Sequence, residues 1–218
     1  MSGSRVALTF DAEHADRPAG RAVADEILAV LARNEVRATF FLQGRWASSH
    51  PDVAREIGQA GHLVGNHSHS HAPLTHLTDD GLRQDIADAE DAIRAAAGLD
   101  PRPWFRCPFG TGADDVRVRG ALEAAGYRHI GWDVDVSDWE DGRTARAVET
   151  DVVTGVIGHG GETVVLLHTW PVVTGAALPG IIDRLRDRGA TFIRVDEIGV
   201  WDLDAAGRGG MVAPPGTW

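Results

Sequence analysis

Short apolar runs alternate along this chain with longer amphipathic stretches. This alternation is typical of βα repeats around a parallel sheet, whose strands are buried on both faces and therefore appear as almost continuous apolar segments. We predict seven strands: Val6–Phe10, Ala38–Leu42, His62–Gly65, Trp104–Arg106, His129–Asp133, Thr163–His168 and Thr191–Val195.

The stretches between the runs repeat apolar residues every three to four positions, which is the period of an α-helix. The longest predicted helix spans about 79–97, with Thr78 as its N-cap and Gly98 as its terminator. Further helices are predicted around Val23–Leu31, from Pro51 to the residues before Gly61, and at about 114–125, 143–157 and 178–188. The pattern predicts a single α/β domain over residues 1–218, with a loop-like tail rich in Gly and Pro at 204–218.

Side chains capable of acid–base or metal chemistry lie where the predicted strands end. They are Asp11 and Glu13 after the first strand, His67 and His71 after the third, Arg106 at the end of the fourth, Asp135 and Asp138 after the fifth, and His168 at the end of the sixth. In closed parallel barrels the active site is built at the C-terminal ends of the strands. We therefore expect these residues to form one site.

The composition narrows the classes of partner. The chain has 218 residues, 43% of them hydrophobic, and a formal net charge of −11. This acidic balance argues against nucleic-acid and membrane partners, because both require a basic face. The single cysteine, Cys107, excludes an internal disulfide, and we do not expect it to be a nucleophile. With no export signal or membrane span in the sequence, we expect a cytoplasmic protein, or a secreted one if an export segment once preceded Met1.

His67 and His71 give the strongest local signal. In one turn of helix, two imidazoles four positions apart project from the same face and can bind a divalent metal, whereas in an extended strand His69 would align with both. Pro73 disfavours helix at Ala72, so we predict a single helical turn. Taken alone, the spacing is equally compatible with a metal-binding pair and with two solvated histidines on the surface.

Two other strand ends carry polar groups that require partners. Asp11 ends an apolar strand, where it must meet a cation, a metal or water, or else cap the following helix. Arg106 is a candidate cation for it. His168 ends an apolar strand as either a satisfied core residue or an acid, and a carboxylate from Asp135 or Asp138 would favour the acid.

Five motifs in order resemble the polysaccharide deacetylases, carbohydrate esterase family four, over residues of about 5–197. They are Thr9–Asp11, His67–His71 (HSHSH), Arg106–Gly110 (RCPFG), Asp135–Trp139 (DVSDW) and Leu166–His168 (LLH). The resemblance implies an α/β fold, a distorted (β/α) barrel of about seven parallel strands. It also implies an enzyme that uses a divalent metal, with zinc expected and cobalt or nickel as alternatives.

The resemblance assigns roles to individual residues. Asp11 is implied as the general base that activates the attacking water, and Arg106 as the residue that holds Asp11. His168 is implied as the acid that protonates the departing amine, tuned by Asp138. His67 and His71 are implied as metal ligands.

One position departs from the family pattern. The first motif of the family usually carries two adjacent aspartates, of which the second is a metal ligand, but Ala12 stands there in this chain. We predict that Glu13 replaces it, since its longer side chain can reach the ion from one residue further on. His14 or Asp11 as the third ligand, and a weak or absent metal, remain as alternatives.

The predicted function is removal of N-linked or O-linked acetyl groups from an acetylated carbohydrate, such as a saccharide containing N-acetylglucosamine. Phe109, Trp139, Trp170 and Trp46 are candidates for stacking on a sugar or lining the acetyl pocket, although each could equally pack in the core. The same chemistry on a small soluble amide or imide is an alternative. A barrel that binds carbohydrate without hydrolysing it is a further one.

Overall fold

A long, buried first strand organises the sheet. In the computed structural model, which describes residues 3–17 and 20–199, β1 (Arg5–Ala12) is buried along all but its first residue. Its alternate side chains face two layers. Val6, Leu8, Phe10 and Ala12 belong to a large apolar cluster shared with the helices, whereas Ala7 belongs to a separate apolar cluster. The tail predicted at 204–218 lies outside the described residues.

Seven more strands complete the parallel sheet. They are β2 (Thr39–Leu42), β3 (Leu63–Asn66), β4 (Trp104–Phe105), β5 (Arg128–His129), β6 (Val134–Asp135), β7 (Glu162–His168) and β8 (Thr191–Ile193). Their order is β5-β4-β3-β2-β1-β7-β6, and β8 pairs with the first half of β1. The curled sheet confirms the predicted α/β fold, a distorted (β/α) barrel.

Seven α-helices connect these strands in the described part of the chain: α1 (Gly20–Arg33), α2 (Gly44–Ser49), α3 (Pro51–Gln59), α4 (Asp79–Ala97), α5 (Val116–Ala124), α6 (Ala145–His159) and α7 (Val172–Arg186). The prediction for α4 is confirmed at both ends: the Thr78 hydroxyl accepts a hydrogen bond from the Gly81 amide at 3.1 Å, and Gly98 adopts a left-handed φ of 71°. None of the helices described is both long and apolar enough to cross a bilayer.

Three details of the prediction are wrong. The predicted strand His129–Asp133 is replaced by β5 and β6, because the carbonyls of Ile130 and Gly131 accept hydrogen bonds from Arg106 rather than extending a strand ladder. Helix α7 begins at Val172 rather than at 178, and Pro179 lies in its interior. The short helix α2 was not predicted.

Candidate metal and acid–base site

Asp11 and His168 are opposite each other on neighbouring strands. They are register partners in the parallel pairing of β1 with β7, and the amide of Thr169 donates to the carbonyl of Asp11 at 3.1 Å. Both side chains are buried. The ends of these two strands are therefore adjacent in the sheet.

Arg106 lies fully buried beneath Asp11. Its Nη1 donates to Oδ1 of Asp11 at 2.9 Å and to the hydroxyl of Thr9 at 2.8 Å. The guanidinium also lies 4.2 Å from the ring centre of Phe41, a distance that permits a cation–π contact. Burial lowers the pKa of Arg106, and the charge of Asp11 partly offsets this effect. These contacts fix the orientation of the Asp11 carboxylate, because its Oδ1 accepts a hydrogen bond from Arg106.

The two histidines converge from a loop, so the prediction of a helical turn is wrong. Residues 67–73 contain no helix, and Ser68 and His71 have left-handed φ values of 63° and 62°. The Ser68 hydroxyl accepts a hydrogen bond from the amide of His71 at 3.0 Å, which closes the loop. The ring centres of His67 and His71 are 4.9 Å apart.

Two residues that sequence reasoning missed hold this loop. The side chain of Asn66 accepts from the Ser68 amide at 2.8 Å and donates to the Tyr127 hydroxyl at 3.2 Å. Asp85 of α4 accepts from the amides of His69 and Ser70 at 2.9 and 3.0 Å. Asp85 was detectable as an acid on the apolar face of α4, three residues after Leu82.

Glu13, His67 and His71 form a group that could hold a metal ion. One ligand atom from each lies within 4.8 Å of the other two. Nδ1 of His67 donates to the carbonyl of Arg106 at 2.9 Å, so Nε2 keeps its lone pair and faces Oε2 of Glu13 at 3.4 Å. Nε2 of His71 contacts the same oxygen. Two imidazole nitrogens and one carboxylate oxygen fit a catalytic divalent metal such as zinc.

The charges of the group also suit a metal. Burial would raise the pKa of Glu13, but hydrogen bonds with His14, His67 and His71 outweigh burial, and the pKa lies well below its usual value. Burial lowers the pKa of His71 and favours its neutral form. For His67 burial acts in the same direction, yet the charges of Asp11 and Glu13 raise the pKa. A metal ion would bind His67 in its neutral form, in which Nε2 carries the lone pair, so metal binding competes with protonation of this ring.

His168 is paired with Asp138, as the motif order implied. Nδ1 of His168 donates to Oδ1 of Asp138 at 2.6 Å, and the backbone amide of His168 and the hydroxyl of Thr174 donate to Oδ2 at 2.9 and 2.5 Å. Burial alone would lower the pKa of His168, but the charge and hydrogen bond of Asp138 raise it to about 10. The imidazolium form is therefore dominant at neutral pH, with Nε2 left to donate a proton.

Asp135 was the other candidate for the partner of His168, and Cys107 was a candidate considered for a nucleophile. Asp135 is exposed, and its carboxylate accepts from the Ser137 amide at 2.9 Å. Cys107 is buried, and burial raises the pKa of its thiol to about 12, which agrees with the expectation that it is not a nucleophile.

The predicted sugar-contacting aromatics differ in their exposure. Phe109 is 46% exposed with its ring centre 4.5 Å from that of His71, and Trp139 is 44% exposed. Trp139 and Trp170 line a cavity of about 370 Å³ next to Asp138. Trp46 is only 1% exposed and packs in the apolar core, so the suggestion that it contacts substrate is wrong.

The comparisons with known proteins agree with the motifs. Residues 1–130 match the family model described as polysaccharide deacetylase. The peptidoglycan-N-acetylglucosamine deacetylase of Bacillus cereus is 33% identical over 196 residues, which are 87% of this chain and 66% of that protein. The chain spans 39–71% of the length of several curated relatives.

Two solved structures that are similar to this chain differ in whether they are described as active enzymes. A family 4 carbohydrate esterase from Streptomyces lividans in complex with acetate has a TM-score of 0.76 at 31% identity, covering 88% of this chain and 93% of that one. A family 4 pseudoenzyme from Bacillus anthracis has a TM-score of 0.79 at 28% identity, covering 89% and 65%. With the model match over more than half of its length, the chain belongs to the polysaccharide deacetylase family.

Proposed function

We propose that this protein is a divalent-metal-dependent hydrolase that removes acetyl groups from an N-acetylated amino sugar in a saccharide. Zinc is the proposed metal, held by Glu13, His67 and His71. The observation that carries the proposal is that two buried pairs accompany this triad: Asp11 with Arg106, and His168 with Asp138. The similarity to the peptidoglycan-N-acetylglucosamine deacetylase of Bacillus cereus supports a saccharide as the class of substrate.

The chain's own residues supply a complete proton path. Asp11 accepts a proton from the attacking water as the water oxygen bonds to the acetamide carbonyl carbon. Arg106 keeps one oxygen of Asp11 occupied, so the other, 3.5 Å from Nε2 of His67, is the one left for this proton. The metal, when bound, acidifies water and stabilises the negative charge that develops on the carbonyl oxygen.

His168 completes the reaction. As the tetrahedral intermediate collapses, the carbon–nitrogen bond breaks and Nε2 of His168 gives its proton to the amine nitrogen. The products are acetate and the free amino sugar. Asp138 stabilises the imidazolium before transfer and orients the ring through Nδ1.

A barrel that only binds carbohydrate is the alternative that the likeness to a pseudoenzyme brings forward. A binding site has no need of a buried acid with an arginine partner or of a histidine with a raised pKa, since both cost desolvation free energy. We therefore favour catalysis.

Acetate release tests the proposal and its substrate class together. We expect acetate from N-acetylglucosamine oligomers when zinc is present and none after chelation, with slower release from O-acetylated xylo-oligosaccharides and from simple N-acetyl amides. Faster release from simple amides would transfer the function to the small-molecule alternative. No release from any member of the panel would favour the binding barrel.

Metal stoichiometry tests the ligand set separately. Glu13→Ala removes the only carboxylate of the triad, and we expect bound zinc to fall from about one per chain to a small fraction of it. Full occupancy in this variant would exclude Glu13 as the third ligand.

A further inference from the structure

The two carboxylate oxygens of Glu13 have different partners. Oε2 faces the imidazoles of His67 and His71. Oε1 points the other way: Nε1 of Trp170 donates to it at 3.3 Å, and Nε2 of His14 lies 3.1 Å from it. Glu13 is buried, so these contacts replace the water that the carboxylate would otherwise bind.

Trp170 is also held by contacts other than its hydrogen bond to Glu13. It lies two residues after β7, next to Thr169, whose amide is tied to the carbonyl of Asp11. The guanidinium of Arg17 lies 4.4 Å from the centre of the indole, and the ring of His14 meets the indole edge-on at 5.5 Å. The indole N–H is therefore presented to Glu13 by a fixed ring.

His14 has a backbone conformation that favours a specific role. Its φ is 55°, a left-handed value that is sterically unfavourable for a non-glycine residue. Such conformations persist where the surrounding contacts determine them, and they cluster at functional sites. Here the left-handed turn brings the imidazole back onto the residue that precedes it in the chain.

A displaced ligand needs such support. Ala12 offers no donor atom and packs in the apolar core, so the carboxylate comes from the next residue on a longer side chain. A glutamate side chain loses more rotamer entropy on becoming fixed than a shorter side chain does. Hydrogen bonds to the oxygen that does not bind the metal reduce this cost at the moment of binding.

We infer that Trp170 and His14 are positioning residues that hold Glu13 through Oε1, so that Oε2 alone is presented to the metal. This inference rests on the proposed metal site. It separates His14 from the ligands: His14 bonds the carboxylate and does not coordinate the ion. It also assigns Trp170 a role in positioning Glu13. The contact of Trp170 with a sugar stays a separate prediction.

Zinc affinity measures the effect directly. Trp170→Phe removes the indole N–H and keeps an aromatic ring, and His14→Ala removes the other contact. We expect each to weaken zinc binding about 10- to 100-fold in a competition titration with a chromophoric chelator. Trp139→Phe is the matched control, since Trp139 is 44% exposed and the indole that donates to Glu13 belongs to Trp170. The zinc affinity of this variant should equal that of the unmodified protein.

A conservative replacement separates positioning from ligation. Gln at position 14 keeps an N–H that can reach Oε1 but is a poor zinc ligand, so His14→Gln should restore most of the affinity lost in His14→Ala. If His14→Gln binds zinc as weakly as His14→Ala, His14 is not a positioning residue.

The cobalt-substituted protein supplies a readout that a purely structural role leaves unchanged. In the double variant Trp170→Phe/His14→Ala, both partners of Oε1 are removed. We expect Oε1 then to bind the ion as well, which raises the coordination number and weakens the visible absorption band. An unchanged spectrum with unchanged affinity, even alongside a lower melting temperature of the metal-free protein, would overturn the inference. Glu13→Ala distinguishes failure of the proposed metal site from failure of the positioning role. If Glu13→Ala retains its zinc affinity, the proposed metal site is wrong. If Glu13→Ala loses zinc affinity while Trp170→Phe and His14→Ala bind zinc normally, only the positioning role is wrong.

Discussion

At the scale of single residues, Asp11 carries the base function of the proposed reaction. Asp11→Asn keeps the shape and the contact with Arg106 but cannot accept a proton. We expect kcat to fall about 10²- to 10⁴-fold, with zinc affinity little changed. Steady-state acetate release and a zinc titration on the same sample measure both quantities. Equal losses in kcat and in zinc affinity would instead identify Asp11 as a ligand, one of the alternatives raised by Ala12.

Asp138 determines the pH range in which His168 remains protonated. Asp138 raises the pKa of His168 to about 10, so the stability that the ion pair contributes is fully present below about 6.5, the ordinary histidine value, and is lost as the pH rises through about 10. In Asp138→Asn burial still lowers the pKa of His168, and only the charges of Glu13 and Asp11 remain to raise it. We expect the alkaline limb of kcat/KM to move to lower pH.

The control for this shift is Thr174→Val, which removes one hydrogen bond to Asp138 and leaves its charge. Its alkaline limb should stay close to that of the unmodified protein. An Asp138→Asn profile that coincides with the unmodified one would show that His168 does not titrate as the acid.

Much of the site at this scale is predictable from sequence, because Asp11, Arg106, His67, His71, Asp138 and His168 all end or follow strands of one parallel sheet. The supporting contacts are not predictable in the same way. Thr174 reaches Asp138 from 36 residues away, and Trp170 reaches Glu13 from 157 residues away. Such partners follow from tertiary packing, which no local pattern encodes.

At the scale of elements, α4 supports the histidine loop through Asp85. Asp85→Ala removes the acceptor for two loop amides and leaves their N–H groups without it. We expect zinc affinity to fall about tenfold and the free energy of unfolding to fall by about 1–3 kcal/mol. Zinc titration and urea unfolding of the metal-free protein measure the two effects.

Asp91→Ala on the same helix is the matched control, since Asp91 is exposed. It should change neither quantity appreciably. Normal zinc affinity in Asp85→Ala would contradict the view that this helix positions His67 and His71.

The sequence pattern predicts some elements accurately and others not. The apolar period and the caps at Thr78 and Gly98 define α4 to the residue. The spacing of His67 and His71 predicts a helical turn, whereas the observed loop depends on Asn66 and Asp85 and on left-handed backbone at Ser68 and His71. Likewise β5 and β6 are two strands instead of one, because Arg106 donates hydrogen bonds to the carbonyls of the residues between them.

At the scale of the whole molecule, the proposed metal would link the residue after β1, Glu13, to the loop after β3. A ligand that binds only the folded state stabilises it by mass action, by about 2.7 kcal/mol at 100 times its Kd. We therefore expect zinc to raise the melting temperature of the metal-free protein, and expect Glu13→Ala to lose most of that rise. Calorimetry with and without zinc measures it. An equal rise in both proteins would mean that zinc binds elsewhere.

The most direct test of the central claim is a zinc titration of acetate release from N-acetylglucosamine oligomers by protein first stripped with a chelator. The account predicts that the rate starts near zero, increases in proportion to added zinc and stops increasing at about one zinc per chain. A rate independent of zinc, or no acetate at full zinc occupancy, would contradict it.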